Sequence, residues 1–415
     1  MFAPYALRTN MFPSTVSGFS RPEAPGDCLS CPGCGEMAAQ VFFERSSLPV
    51  HCNILWPTAD AARRAPRGTM RLASCGGCGL LFNAAFDPAL VTYDESYENS
   101  LHYSPRFEAY AEALARNLSE RLNLRGRLVV EVGCGKGDFL RRLCQVSGAR
   151  GLGIDASYDP TISPASPDDA VQFVREPFST LPGDLRPALV FCRHVLEHLP
   201  EREAFVSELA AAARRAPGCR VLIEVPNVLF TLRDLGIWDL IYEHCSYFSA
   251  PSLSRLCERA GLQVERVSSV FGDQFLCVEA TAGGAPSSQP LVDDVKKIGQ
   301  LTARFCDEYE RKVATWEARL RDLQAHGRKV VVWGTGSKGV TFVNTVPGGA
   351  SVSALVDLNP RKQGRFVACT GQPVVDPTAL RELQPDVIVV MNPLYEQEIR
   401  DVARGAGVRC AVETA

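Results

Sequence analysis

The sequence predicts an α/β protein in which two nucleotide-binding-like units follow one another behind a small cysteine-rich module. Three observations predict it. Short β-rich runs alternate twice over with amphipathic helical stretches, the pattern of parallel sheets with helical crossovers. In each series the first run empties into a glycine-rich loop, VVEVGCGKG and VVVWGTGSKG, and two CxxC pairs precede both. The 415 residues suit two to three domains at about 150 residues each. Lys plus Arg number 44 against 47 Asp plus Glu, a net charge of −3, which supplies no general field for nucleic acid or an anionic membrane. Hydrophobic residues at 46% and charged residues at 22% are globular values. No apolar run approaches the ~18 residues of a membrane span. Neither nucleic acid nor membrane is therefore an expected partner.

Residues 1–27 contain four prolines and no apolar signal core, and are expected to form a disordered lead with the cytoplasm as compartment. Sixteen cysteines in such a chain fit metal ligands and small buried hydrophobes better than disulfides. Within residues 28–92, Cys31-Pro-Gly-Cys34 and Cys75-Gly-Gly-Cys78 are each followed by glycine, Gly35 and Gly79. Two such turns present four thiolates to a tetrahedral zinc ion, and a full thiolate shell leaves no open position, so a structural role is expected. Cys28 and Cys52 are alternative ligands, and free thiols or redox pairs the competing reading. Beyond Arg63, Arg64 and Arg67 the segment lacks the basic and aromatic cluster of a nucleic-acid module.

Residues 93–280 carry the first α/β series. Its strands are expected at 127–133, 151–155, 170–174, 188–192 and 220–225, closed by an edge hairpin, LQVERVSSV and QFLCVEA, turning at Phe271-Gly272-Asp273. Glu131 precedes Gly133, Gly135 and Gly137 at the strand-to-helix junction, where glycines admit close backbone approach to a ligand. Asp155 ends the next strand, where a carboxylate can accept from ribose hydroxyls. The spacing is GxGxG, not the GxGxxG of a dinucleotide site. Residues 281–328 are read as a linker and one long, proline-free helix from Leu291 to Gln324, an interdomain strut with an apolar stripe. Residues 329–415 restart the alternation, with strands at 329–334, 354–359, 386–392 and 409–413. There Gly334, Gly336 and Gly339 stand in GxGxxG register with Ser337 and Lys338 between them, and Asp357 ends the following strand, so on motif alone an NAD-binding oxidoreductase is the rival reading.

The E-x-G-C-G-x-G loop, the acidic end of the second strand and the CRHVLEHL run resemble class I S-adenosylmethionine-dependent methyltransferases, which have a Rossmann-like core. The resemblance implies cofactor binding by Glu131, Gly133, Gly135, Gly137 and Asp155, with Arg193 and His194 lining the pocket. Glu197 and His198 are expected to be helix residues with local contacts. With the zinc knuckles, the YEHCSYFS segment and the second α/β unit, nearly the whole chain from Cys28 onward is similar in architecture to sugar C-methyltransferases acting on nucleotide-linked keto-deoxysugars. That resemblance implies His244 as general base, with Tyr242, Glu243 and a tyrosine after the zinc module, here Tyr97 with Tyr93 and His102 nearby. It also implies that the Gly334–Gly339 loop serves the small-molecule substrate or a domain contact. A methyltransferase of another enolisable metabolite, or a non-catalytic zinc- and NAD-binding regulator, are the alternatives.

Overall fold

A computed structural model describes residues 18–20, 28–161, 170–178, 183–283 and 292–415. Three sheets organise the chain. The first is antiparallel and carries β1 (Phe19–Ser20), β2 (Leu29–Ser30), β3 (Met37–Pro49), β4 (Arg67–Cys75) and β5 (Leu81–Asn83), with helix α1 (Ala59–Arg63) in the β3–β4 connection. No strand signal was expected here beyond the knuckles, because β3 and β4 are irregular, with register shifts at Val41/Phe43 and Arg45/Leu48 that break strict alternation.

The second sheet follows α2 (Pro105–Leu122), a helix started by Ser104, whose hydroxyl accepts from the Phe107 amide, with Pro105 in the first turn. Its strands are β6 (Leu128–Val132), β7 (Arg150–Ile154), β8 (Val171–Val174), β9 (Leu189–Arg193) and β10 (Arg220–Pro226), with α3 (Asp138–Ser147) and α4 (Arg202–Arg215) between them and α5 (Val228–Leu232) beyond β10. A two-residue strand, β11 (Ser246–Tyr247), does not join this sheet: it pairs with β5 and completes the first. After α6 (Ala250–Arg259), the hairpin β12 (Leu262–Val270) and β13 (Phe275–Ala282) adds an antiparallel edge, giving the order β12-β13-β10-β9-β6-β7-β8. The remaining pairs are parallel, and the strand order reverses beside β6, between β7 and β9. Ligands bind such sheets at that crevice.

Helix α7 (Val292–Ala325) is a single run of 34 residues. Its stripe Ile298, Leu301, Phe305, Tyr309, Val313, Trp316 and Leu320 is buried. The helix lies between the first sheet and the last unit: Tyr309 packs edge-on to Phe43 at 4.9 Å, and Trp316 to Phe342 at 5.3 Å. The third sheet is all parallel, with β14 (Val330–Trp333), β15 (Ala354–Val356), β16 (Val374–Val375), β17 (Val387–Val390) and β18 (Ala411–Thr414) in the order β16-β15-β14-β17-β18. Helices α8 (Ser337–Thr345), α9 (Leu380–Leu383) and α10 (Glu396–Gly405) complete it. One apolar cluster joins Phe43 and Met70 of the first sheet, Trp238 and Tyr247 of the segment before α6, the α7 stripe and Phe342, so burial ties the three units together. Among the described residues no helix is long and apolar enough to cross a membrane.

Candidate active site

The chain enters the crevice of the second sheet at Val132. Gly133, Gly135 and Gly137 all take left-handed φ values, +73°, +55° and +79°, which favour glycine. A Cβ on Gly133 would meet Val195 at 2.3 Å and one on Gly137 would meet Phe173 at 2.3 Å, whereas Gly135 faces open space. Asp155 shapes the loop from below: Oδ2 accepts from the Gly135 amide at 2.7 Å, and Oδ1 from the Ser157 amide and hydroxyl at 2.7 and 2.6 Å. Glu131 is buried, and its Oε2 has no partner. Burial lifts its pKa to about 8 against the opposing pull of Arg193. An orphaned buried carboxyl beside an open glycine fits a ligand with hydroxyl or cationic groups.

Arg193 and His194 are both held by Glu224, a residue the sequence reading passed over. Glu224 Oε1 accepts from Arg193 Nε and Nη2 at 3.0 and 2.8 Å and lies 3.1 Å from His194 Nε2, while Tyr110 donates its hydroxyl to Oε2. Burial would raise Glu224, but Arg193, His194 and Tyr110 outweigh it and hold it at about 2. His194 is lifted to about 9 by Glu197 and Glu224 in spite of its burial. The Arg193 guanidinium stacks 4.1 Å from the Phe139 ring centre, so it is turned into the fold.

The second cluster lies where β11 meets the first sheet. Tyr247 staples its own approach loop, accepting from Ile241 N at 3.1 Å and donating to Ile241 O at 2.9 Å. This turns Glu243 inward to full burial, where Oε1 accepts from the Cys52 and Asn53 amides at 2.6 and 3.4 Å and Oε2 from the Tyr97 hydroxyl at 3.0 Å. Asn53 Nδ2 donates to Tyr97 at 3.2 Å, and His51 Nδ1 lies 3.5 Å from Glu243. Burial pushes Glu243 up, but His51, His198 and the Cys52 amide bring it below the ordinary carboxylate value. His244 is buried with Nδ1 unpartnered, its ring edge-on to His198 at 4.8 Å and to Tyr247 at 5.7 Å. Burial, helped by His198 and His194, keeps its pKa well below the usual imidazole value, so the ring is neutral.

The structure thus brings together Glu243, His244 and Tyr97, together with Tyr93, whose hydroxyl lies 2.8 Å from His198 Nδ1. Tyr242 is not among them. Its hydroxyl accepts from the Asp87 amide at 2.9 Å, and its ring stacks on Phe86 and covers Gly68, so it faces the first sheet. His102 pairs with Glu108 at 2.5 Å. Glu197 and His198, expected as helix residues with local contacts, sit on a short 3-10 helix, Leu196–His198, where Glu197 meets His194 and His198 also reaches the cluster. The sequence reading also omitted His51 and Asn53, whose approach from the β3–α1 loop has no local signal.

In the third sheet Gly334 takes φ +100° and, like Gly336, faces open space. A Cβ on Gly339 would come within 1.9 Å of the Gly334 carbonyl oxygen, so only glycine lets α8 approach the loop this closely. Asp357 accepts from the Thr335 amide at 2.8 Å and from its hydroxyl. Ser337 opens α8, and Lys338 Nζ is turned to Asp239, 2.9 Å away in the segment leading to the cluster, which makes it a contact between units. A reciprocal amide pair, Gln274 with Asn392 at 2.9 and 2.8 Å, makes another.

Cys31, Cys34, Cys75 and Cys78 form one buried group with ligand atoms within 4.8 Å of one another. Cys31 and Cys78 sulfurs are 3.7 Å apart, Cys34 and Cys75 3.6 Å, and the Gly33 and Gly77 amides point at Cys31 and Cys75 Sγ from 3.4 and 3.3 Å. Amides converging on thiolates and four sulfurs in one shell fit a zinc ion. Cys28 is exposed beside Gln40, and Cys52 lies 4.0 Å from Thr341 Oγ1, so neither joins the group.

Comparison with known proteins assigns residues 103–267 to a methyltransferase domain and residues 289–409 to a C-methyltransferase C-terminal domain. C-methyltransferase NovU of Streptomyces niveus is 26% identical over 300 residues, 68% of this chain and 70% of that protein. Among solved structures, the 1,6-didemethyltoxoflavin-N1-methyltransferase of Burkholderia thailandensis matches with TM-score 0.35 and 19% identity over 42% of this chain and 79% of that one. The magnesium protoporphyrin IX methyltransferase of Synechocystis has TM-score 0.35 and 19% identity over 43% and 84%.

Proposed function

We propose that the chain, an S-adenosylmethionine-dependent C-methyltransferase by its domain matches and its likeness to NovU, methylates an enolisable carbon of a nucleotide-linked keto-deoxysugar with His244 as general base. The observation that carries this reading is the buried, neutral His244 with an unpartnered ring nitrogen, set among the hydrogen-bonded Glu243–Tyr97 pair and His198. A carbon beside a carbonyl becomes nucleophilic only when a proton leaves, and an imidazole already free of its own proton has the lone pair to take it. Tyr93 offers its hydroxyl to the oxygen on which charge develops, while the Tyr97 proton is engaged by Glu243. Glu243 fixes Tyr97, and Tyr242 supports the loop from the side of the first sheet.

The cofactor would lie against Gly133, Gly135 and Gly137, with Glu131 and Asp155 taking its polar groups and Arg193 and His194 closing the wall from Glu224. When bound, it supplies a methyl group on a positively charged sulfur, so no catalytic metal is needed. Zinc at Cys31, Cys34, Cys75 and Cys78 would hold the first sheet in shape. The open Gly334–Gly336 face, with the Ser337 and Gly339 amides at the start of α8, supports a place for the nucleotide phosphates, while Lys338 secures the loop to the segment carrying His244.

The test uses keto-deoxysugar nucleotides in deuterated water. Wild-type protein is expected to exchange the proton next to the carbonyl and to methylate that carbon. His244→Asn should lose both by about 10²-fold or more while binding S-adenosylhomocysteine as before. Undiminished exchange in that variant would remove His244 from the role, and methylation confined to oxygen would remove the carbon acceptor.

A further inference from the structure

We propose that Glu197, His198 and His244 form a site for a divalent transition-metal ion such as Zn2+ or Co2+, distinct from the four thiols of the knuckles. One ligand atom from each of the three lies within 4.8 Å of the other two. One carboxylate and two imidazoles are a donor set these ions accept, with coordination positions left over. Glu197 is 1% exposed and His244 8%, with His198 half-buried beside them.

Two observations independent of the grouping point to a ligand. Glu197 Oε2 has no hydrogen-bond partner, nor has Nδ1 of His244, although polar atoms this deep are ordinarily satisfied. Glu197 Oε1 meets His194 Nδ1 in a 3.5 Å ion-pair contact and is free of any closer donor. The second observation is the setting of His198. Its Nδ1 lies 2.8 Å from the Tyr93 hydroxyl oxygen and 3.2 Å from the Glu243 carbonyl oxygen; the carbonyl can only accept, so the tautomer that satisfies it carries its proton on Nδ1 and leaves Nε2 with a free lone pair. Metal-binding imidazoles are oriented in this way by an outer acceptor.

An ion held by His244 occupies the nitrogen pair that the proton needs, so it would silence methyl transfer without displacing the cofactor. That consequence rests on His244 as the base; the binding site itself does not.

The experiment titrates full-length protein, zinc-filled at the knuckles, with Co2+ in the absence of cofactor. One further equivalent is expected, with visible ligand-field bands and no thiolate-to-metal charge transfer. Glu197→Gln and His198→Gln should each weaken it by at least about tenfold, with S-adenosylhomocysteine binding, read by calorimetry, reporting that the fold is kept. The site is overturned if wild-type protein takes up no further equivalent, if thiolate charge transfer accompanies it, or if both variants bind as wild type does. Should Co2+ bind as expected yet leave methyl transfer at its metal-free rate, the site stands and the role of His244 falls. Should Co2+ fail to bind while His244→Asn abolishes deuterium exchange, the base stands and the metal site falls.

Discussion

Glu224 sits beneath two cations, Arg193 and His194, at full burial. Glu224→Gln keeps the shape and removes the charge, leaving Arg193 without an ionised partner in a dry site. The expected loss is about 3–5 kcal/mol of folding stability, read from urea unfolding, with weaker S-adenosylhomocysteine binding because the wall of the cleft loses its anchor. A smaller loss is expected at Glu243→Ala, which strands the Cys52 amide and the Tyr97 hydroxyl. About 1–3 kcal/mol would disappear, with turnover falling more than cofactor affinity. The residue types at these sites were legible in the sequence, but their directions were not. Tyr242, Glu243 and His244 are neighbours in an irregular loop, so successive side chains part company: Tyr242 goes to Phe86, Glu243 to Tyr97 and His244 to His198. Glu197 and His198 lie on a short 3-10 helix, Leu196–His198, with Glu197 in an i,i+3 contact with His194, but their place beside His244 had no local signal.

Among the elements, the two glycine loops look alike in sequence yet differ in what the glycines do. Gly135 and Gly336 leave space for a ligand, and Gly339 instead seats a helix on a carbonyl. Gly339→Ala should therefore cost about 1–3 kcal/mol through overpacking, visible as a lowered Tm, whereas Gly135→Ala, with no clash but a left-handed φ of +55°, should cost about 1 kcal/mol of backbone strain and lower cofactor affinity as well. On α7, burial lowers Lys312 to about 8, while in the unfolded chain it titrates near ~10.4. Between those values the unfolded state holds the proton that the folded state has released, so stability rises with pH across that window. Compared with Lys312→Met, wild-type Tm is expected to gain between pH 8 and pH 10; a constant difference would refute this. The helix itself was plain from its three- and four-residue apolar steps. The strands β3 and β4 were not, because bulges interrupt their alternation and the side chains they bury meet α7, hundreds of residues away in sequence.

At the scale of the molecule, the sequence showed the two alternating series and the paired knuckles but not how the units lock. Nothing local in the HCN tripeptide of residues 51–53 reveals that its amides hold Glu243, 191 and 190 positions further on. That link has a testable result. Cys75→Ser, or chelation of the knuckles, should lower bound zinc as measured by atomic absorption, and should depress methyl transfer as well, although no knuckle cysteine reaches His244. Normal zinc content in the variant would overturn the ligand assignment. The lock also sets an order of events during synthesis. Because β11 supplies the last strand of the first sheet, the edge of β5 stays bare until the ribosome has added roughly 160 more residues, on the order of ten to thirty seconds at bacterial elongation rates. Nascent chains halted before Ser246 should accordingly show that edge as a site of premature aggregation or chaperone capture.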